Sequence, residues 1–351
     1  MPTVWIIRAM PNGSDSRVGR WREIYAGRCV RLLSWGGAAL ADDVAIPGRP
    51  VVGSRWMPLF YPWFMAAVFW VGLLRFKRGD RVVCVDLEAL LGAWLAAWLR
   101  GADIHFDVAD PFHLAKPVPC KGFWRWLEGC CMAAAALATV PHASRFEFYT
   151  TPKAGHRLVV ENVPLLEAQP PASVPAGVSP LVLGYFGGLE PHRGLEDLIA
   201  LVRADERLAL RVAGHGSLSA LIQRAAGECS RIVFSGAFRS ERLPHLVGDV
   251  HVYCSLYYGS KPLHEHACPN KFYEHLALAR PILISRRVPM AADVLAHRTG
   301  WVVDGDDAAA IAEQLAHIDA AAVAERASNA ARLWQQSYVG YYSRVRKKMG
   351  L

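Results

Sequence analysis

The chain has 351 residues, enough for two domains, and 53% hydrophobic against 20% charged residues supplies a large core and excludes an extended disordered chain. Net charge is +8, mean hydropathy +0.16 and the tryptophans number 12. Residues 1–164 hold 19 Lys and Arg against 13 Asp and Glu, a net of +6, which leaves +2 for residues 165–351. A basic, aromatic first half fits an anionic membrane surface or an anionic acceptor. A nucleic-acid partner is not expected, because no nucleic-acid motif is present and the tryptophans sit in apolar runs.

In chain order, the first half alternates strand and helix, the pattern of a parallel sheet with crossover helices. An apolar run, residues 3–8, predicts a first strand and turns at Pro11-Asn12-Gly13-Ser14. That strand starts too early and lacks the basic flank of a signal peptide. A helix is predicted over 17–32, a strand over 81–86, a helix over 87–100 and a strand over 103–108 ending at Asp107 and Asp110. A helix over 121–137 and strands over 137–141 and 157–160 follow, with a turn at Glu161–Pro164. Carboxylates at the C-terminal end of a parallel strand lie where ligands bind. Asp107 and Asp110 are therefore candidates to bind acceptor hydroxyls or to act as a general base, against the alternative of a helix cap and surface charge. Gly13 in the first loop is a candidate for close ligand approach, or a plain turn. The eight cysteines are scattered without a C-x-x-C pair, which reads as reduced thiols in a cytosolic protein.

Residues 56–76 form an apolar run close to the length of a membrane span, followed by the basic cluster Arg75, Lys77, Arg78 and Arg81. Pro58 and Pro62 shorten its helix, and a strand begins at once at Val82. Three readings stay open: a core helix, a helix in the membrane interface carrying Trp56 and Trp63, and a true span.

Residues 165–180, rich in Pro, Ala and Ser, read as a linker. A second alternation then begins. A strand over 181–186 meets Gly187-Gly188, and a helix opens after Arg193-Gly194. A strand over 208–213 ends at Gly214-His215-Gly216, with Ser217 as a helix cap. Strand 231–234, helix 240–247 and strand 250–254 precede the most informative stretch, residues 267–285. Here a helix starts after Pro269, with Asn270 at its start and Lys271 and Glu274 on one face, and runs into Arg280-Pro281 and an apolar strand. A cation at a helix start holds a diphosphate, and a carboxylate one turn on accepts ribose hydroxyls. Strand 300–303, helix 307–318 and a long terminal helix over 320–348 complete the chain. No Ser/His/Asp set, P-loop or metal-ligand spacing is readable.

Cys268, Pro269, Lys271, Glu274, Ala277 and Pro281 fall in step with a signature, S-P-x-K-x-x-E-x-x-A-x-G-x-P-V-I, and the stretch resembles that of GT-B glycosyltransferases of the family 4 type. The family's glycine is Ala279 or Arg280 here. The slot of a further family Glu holds His266, with Glu265 beside it. The segment 184–199 resembles the family's G-R-…-K-G segment, in which two cations hold the donor diphosphate; Arg193 matches the Lys, and Gly188 replaces the Arg. Gly214 falls in the family's G-x-G loop and Ser235 in its F-x-G turn. His142-Ala143-Ser144 resembles its strand-to-Ser turn, with Ser144 expected to cap.

The resemblance implies a GT-B fold, two Rossmann-like doubly wound domains facing across a cleft. Residues 1–164 would bind the acceptor and face the membrane, and 181–319 would bind the nucleotide-sugar donor. Residues 320–351 would return to the first domain. The implied donor residues are Gly187, Gly188, Arg193, Gly214, Ser235, Asn270, Lys271 and Glu274, with Asp107, Asp110 and His266 as catalytic candidates. The implied activity is sugar transfer to a lipid-linked or polysaccharide-precursor acceptor, with retention, no metal and no cofactor, by a cytoplasmic protein peripheral on the inner face of a membrane. A nucleotide-sugar 2-epimerase and a non-catalytic sugar-binding scaffold are the alternatives.

Overall fold

The apolar runs become buried parallel strands, and the amphipathic stretches between them become their crossovers. In the computed structural model, which describes residues 2–11, 16–37, 42–48, 57–149, 156–166, 175 and 177–351, the chain divides into two compact units. The first comprises residues 1–161 with 342–351, the second residues 162–341. Gly13, Trp56 and most of the expected linker lie outside the described residues.

The first unit contains β1 (Val4–Arg8), α1 (Ser16–Ile24), β2 (Val30–Trp35), β3 (Val44–Ile46), α2 (Tyr61–Arg75), β4 (Arg81–Val85), α3 (Leu87–Arg100) and β5 (Asp103–Asp107). It continues with α4 (Phe112–Ala115), α5 (Lys121–Ala134), β6 (Leu137–Val140) and β7 (Arg157–Val159). Its sheet runs β3-β2-β1-β4-β5-β6-β7, all parallel, so the strand order reverses between β1 and β4. One expectation is corrected here. The helix expected over 17–32 stops at Ile24. Gly27 turns the chain at φ +87°, and Val30–Trp35 pairs with β1 as a strand. In the 56–76 run, open to three readings, the structure describes a helix, α2, of 15 residues, and no described helix is long and apolar enough to cross a membrane. Tyr61, Phe64, Val68 and Gly72 recur at helical spacing and bury one face of α2 against α3. Small residues set that distance: a Cβ on Gly92 of α3 would lie 2.9 Å from the Met65 Cα.

The second unit contains β8 (Leu181–Gly188), α6 (Leu195–Ala204), β9 (Leu208–His215), α7 (Ser219–Glu228), β10 (Ile232–Phe234), α8 (Leu243–Leu246), β11 (Val252–Ser255) and α9 (Asn270–Ala277). There follow β12 (Ile282–Ser285), α10 (Ala291–Ala296), β13 (Gly300–Val303), α11 (Ala308–Leu315) and α12 (Ala320–Ser337). Its parallel sheet runs β10-β9-β8-β11-β12-β13, reversing between β8 and β11. The single terminal helix expected over 320–348 is broken near Gly340, and α13 (Tyr341–Lys348) follows. The Tyr342 phenol lies near Arg17 and Arg20 of α1, and burial pushes its pKa up to about 12.

Candidate active site

In an open parallel sheet, ligands bind outside the carboxyl ends of the strands where the order reverses. In the second unit that point is the end of β8 beside β11. β8 ends in Gly187-Gly188, which pair with Gly214 and His215 at the end of β9. Gly214, at φ +151°, is obligatory there: a Cβ would sit 1.8 Å from the Gly187 carbonyl oxygen. Its N–H donates to the Gly236 carbonyl at 2.7 Å, which joins the Ser235-Gly236 turn to the same edge. Ser235 is exposed, and its N–H is bonded back to Val212. Gly187, Gly188, Gly214 and Ser235 thus share one end of the sheet.

Two cations meet this edge. Lys271 is the second residue of α9, whose preceding residue is the extended Pro269, with half-buried Asn270 between them. Its Nζ would be 3.3 Å from a Cβ on Gly187 and lies 4.4 Å from the centre of the Tyr185 ring. The Arg193 guanidinium lies 5.1 Å from the centre of the Tyr257 ring, and its Nη1 would be 3.6 Å from a Cβ on Gly188. It therefore fills the space beside the residue that stands where the family signature has its arginine. The Arg193 Nε is buried without a hydrogen-bond partner. No carboxylate pairs with either cation within 4.0 Å among the described residues. Burial, and then the nearby Arg193 charge, lower the Lys271 pKa to about 7. The Arg193 pKa is raised, chiefly by Tyr257, against burial.

Glu274, half-buried one turn after Lys271, accepts a hydrogen bond from the Tyr253 hydroxyl at 2.8 Å. Tyr185 donates to the Gly188 carbonyl at 3.0 Å, and burial raises its pKa. Tyr185, Tyr253 and Tyr257 were not singled out from sequence, because a tyrosine in an apolar strand reads as core. Their spacing from the glycines and the signature helix was the available signal. His264, also missed, is buried with its ring in edge contact with Tyr257, 5.1 Å between centres. Burial lowers its pKa to about 4, so it is neutral.

His266 ends a short 3₁₀ turn and is half-buried, whereas Glu265 is exposed and pairs with Arg287 at 3.9 Å. Of Ala279 and Arg280, the former takes the left-handed conformation, φ +49°, and so occupies the family's glycine position. The Arg280 guanidinium is buried and donates to the carbonyls of Val247, Leu278 and Ala279.

In the first unit, the expectation for Asp107 is corrected. Its carboxylate is fully buried and closed by four donors: Arg17 Nε at 2.7 Å and Nη2 at 2.6 Å, Trp21 Nε1 at 2.8 Å and Thr139 Oγ1 at 2.6 Å. Burial alone would raise its pKa, but the Arg17 charge and these bonds hold it below the usual carboxylate range. It is a structural anchor with no oxygen left for a ligand. Asp110 is exposed and pairs with Arg145 at 3.3 Å. Neighbouring His105 is buried against the Tyr25 hydroxyl, 2.8 Å from its Nδ1, and burial lowers its pKa to about 4. At the next turn the cap is the His142 side chain, which accepts from the Ser144 N–H, rather than Ser144 itself. Among the described residues no group of three His, Cys, Asp or Glu side chains is placed to hold a metal.

Residues 180–319 match the family model described as Glycosyl transferases group 1. No curated protein matches the chain. Several solved structures share its fold over essentially its whole length. HepE from Anabaena in complex with UDP is 15% identical with a TM-score of 0.70, all of both chains being covered. Sucrose-phosphate synthase from Thermosynechococcus elongatus is 14% identical with a TM-score of 0.71, covering 100% of this chain and 98% of the other. WaaG, a glycosyltransferase involved in lipopolysaccharide biosynthesis, is 13% identical with a TM-score of 0.67, covering 98% of each. With its two reversed parallel sheets this chain has the GT-B fold, and residues 180–319, which hold the second of them, are similar to the Glycosyl transferases group 1.

Proposed function

We propose that the protein transfers a sugar from a nucleoside-diphosphate sugar, held by the second unit, to a lipid-linked or glycan-precursor acceptor at an anionic membrane surface. The observation that carries this reading is a pair of cations, buried Lys271 and half-buried Arg193, beside Gly187-Gly188 with no carboxylate paired to either among the described residues. Two like charges in a low-dielectric site repel and are poorly solvated, so the site is complete only with an anion between them. A diphosphate at a glycine edge and the start of α9 meets that need, and Glu274 lies one turn away for the ribose. HepE complexes with UDP and with UDP and glucose fit the same reading.

These cations and the α9 N-terminus would stabilise the leaving diphosphate as charge develops on it. Asp107 is sealed in its ion pair and cannot take the acceptor's proton. That supports transfer with retention, in which the leaving phosphate takes it.

The membrane part of the proposal rests on α2 and α3. Trp63, Trp70 and Leu74 of α2 and Leu95, Trp98 and Leu99 of α3 are each more than half exposed. Arg75, Lys77, Arg78 and Arg100 lie exposed where both helices end, Arg100 donating to the Phe76 carbonyl. Aromatic groups beside a basic rim fit the acyl–headgroup boundary of an anionic bilayer. The donor reading is tested by thermal shift with UDP, GDP, dTDP and CMP, since a ligand that binds the folded state raises the midpoint. At least one nucleoside diphosphate should do so, and no shift with any would contradict the reading.

A further inference from the structure

Lys271 and Glu274 sit three residues apart on α9, a spacing at which a cation and a carboxylate ordinarily close on each other. In this site they do not: among the described residues Lys271 has no carboxylate within 4.0 Å. Each is held instead by a tyrosine from a strand. The Lys271 Nζ lies 4.4 Å from the centre of the Tyr185 ring in β8. One Glu274 oxygen accepts from the Tyr253 hydroxyl of β11 at 2.8 Å. Both tyrosines are fully buried, so packing fixes the two rings.

The two tyrosines face opposite sides of the sheet. β11 runs beside β8 with Tyr253 opposite Gly184, one residue before Tyr185, and successive strand residues point to opposite faces. Tyr185 accordingly joins the core around Leu183, Leu210 and Cys254, and Tyr253 joins the one around Val182, Phe186 and Leu278. Lys271 thus reaches past the strand end at Gly187 to one face, while Glu274 is tied to the other. The other ionisable groups around Lys271 are Arg193, from the loop before α6, and the Cys254 thiol of β11, which burial keeps protonated. Tyr338, just past α12, meets α9 at Tyr273 instead. Burial and Arg193 favour the neutral Lys271 amine, and Glu274 favours the ammonium. A hydroxyl that ties Glu274 down therefore keeps the pair open.

We propose that Tyr253 is a positioning residue: opposite the Tyr185 ring, it holds Glu274 away from Lys271, so that the free site does not neutralise itself before a nucleotide arrives. The proposal rests on the donor reading and deepens it. The test reads the ligand-free full chain by NMR with isotope-labelled lysines, the Lys271 signal being assigned by its loss in Lys271→Met. Tyr253→Phe keeps the ring and removes the hydroxyl. Its Lys271 titration midpoint should rise above that of wild type by about one pH unit or more, since a carboxylate released beside an ammonium favours the charged form. The rise should vanish when Glu274→Gln is added. In calorimetry with uridine, guanosine and thymidine, Tyr253→Phe should weaken the nucleoside that binds best by about fivefold or more, because the ribose carboxylate is no longer held. An unchanged Lys271 midpoint or an unchanged nucleoside affinity in Tyr253→Phe overturns the proposal, as does a rise that persists without the Glu274 carboxylate. A wild type that binds neither nucleosides nor their diphosphates would overturn the donor reading, and the Lys271 titration would still decide whether Tyr253 keeps the pair apart.

Discussion

Replacing Asp107 by Asn separates an anchor from a catalytic base. The carboxylate is fully buried and takes four hydrogen bonds, and its partner Arg17 is 3% exposed. An amide keeps the shape but leaves the Arg17 charge buried and turns an N–H₂ toward a donor. Breaking a buried pair on one side costs about 3–5 kcal/mol. For a domain of this size 1 kcal/mol moves the midpoint by about 2–4 °C, so the first unit should melt about 10 °C lower. Ten of the twelve tryptophans precede residue 165, so their fluorescence follows that unit. The folded pKa lies below the unfolded one. The stabilisation is therefore present above the unfolded value near 4 and is lost as pH falls through the folded value. The gap between wild type and Asp107→Asn should accordingly close in acid. An unchanged midpoint at pH 7 with abolished transfer would refute this reasoning and restore Asp107 as a base.

Three further outcomes are expected. Ala279→Gly should stabilise the second unit by about 1 kcal/mol in denaturant unfolding, because Ala279 is held at φ +49°; a loss of stability would contradict that origin. The Lys271 pKa near 7 in the free site must rise when a diphosphate binds, so diphosphate affinity should fall from pH 7 to 9 while nucleoside affinity stays level; parallel curves would show that Lys271 does not meet the phosphates. Binding to anionic vesicles should fall as salt rises and fall further in Trp70→Ser with Trp98→Ser; a lack of binding at low salt would remove the membrane from the account.

The donor edge was legible because it is local. Gly187-Gly188, Arg193, Lys271 and Glu274 lie in two short segments whose strand–turn–helix pattern carries the chemistry by itself. The aromatic supports were not, since Tyr185, Tyr253 and Tyr257 acquire a role only when β8, β11 and α9 come together. Asp107 was misread because a carboxylate after a strand looks the same whether Arg17, 90 residues away, closes it or not. The β2 strand was hidden by an apolar stretch that suits a helix as well as a strand.

The central claim, that Arg193 and Lys271 hold the donor diphosphate, is tested most directly by titration calorimetry of Arg193→Ala. The ligands are the nucleoside diphosphate that gives the largest thermal shift and its bare nucleoside. A charge-assisted bond to phosphate contributes about 1.5–3 kcal/mol. The account therefore predicts a loss of roughly tenfold to a hundredfold for the diphosphate and none for the nucleoside. Equal weakening of both would contradict it and would make Arg193 a structural residue above Tyr257.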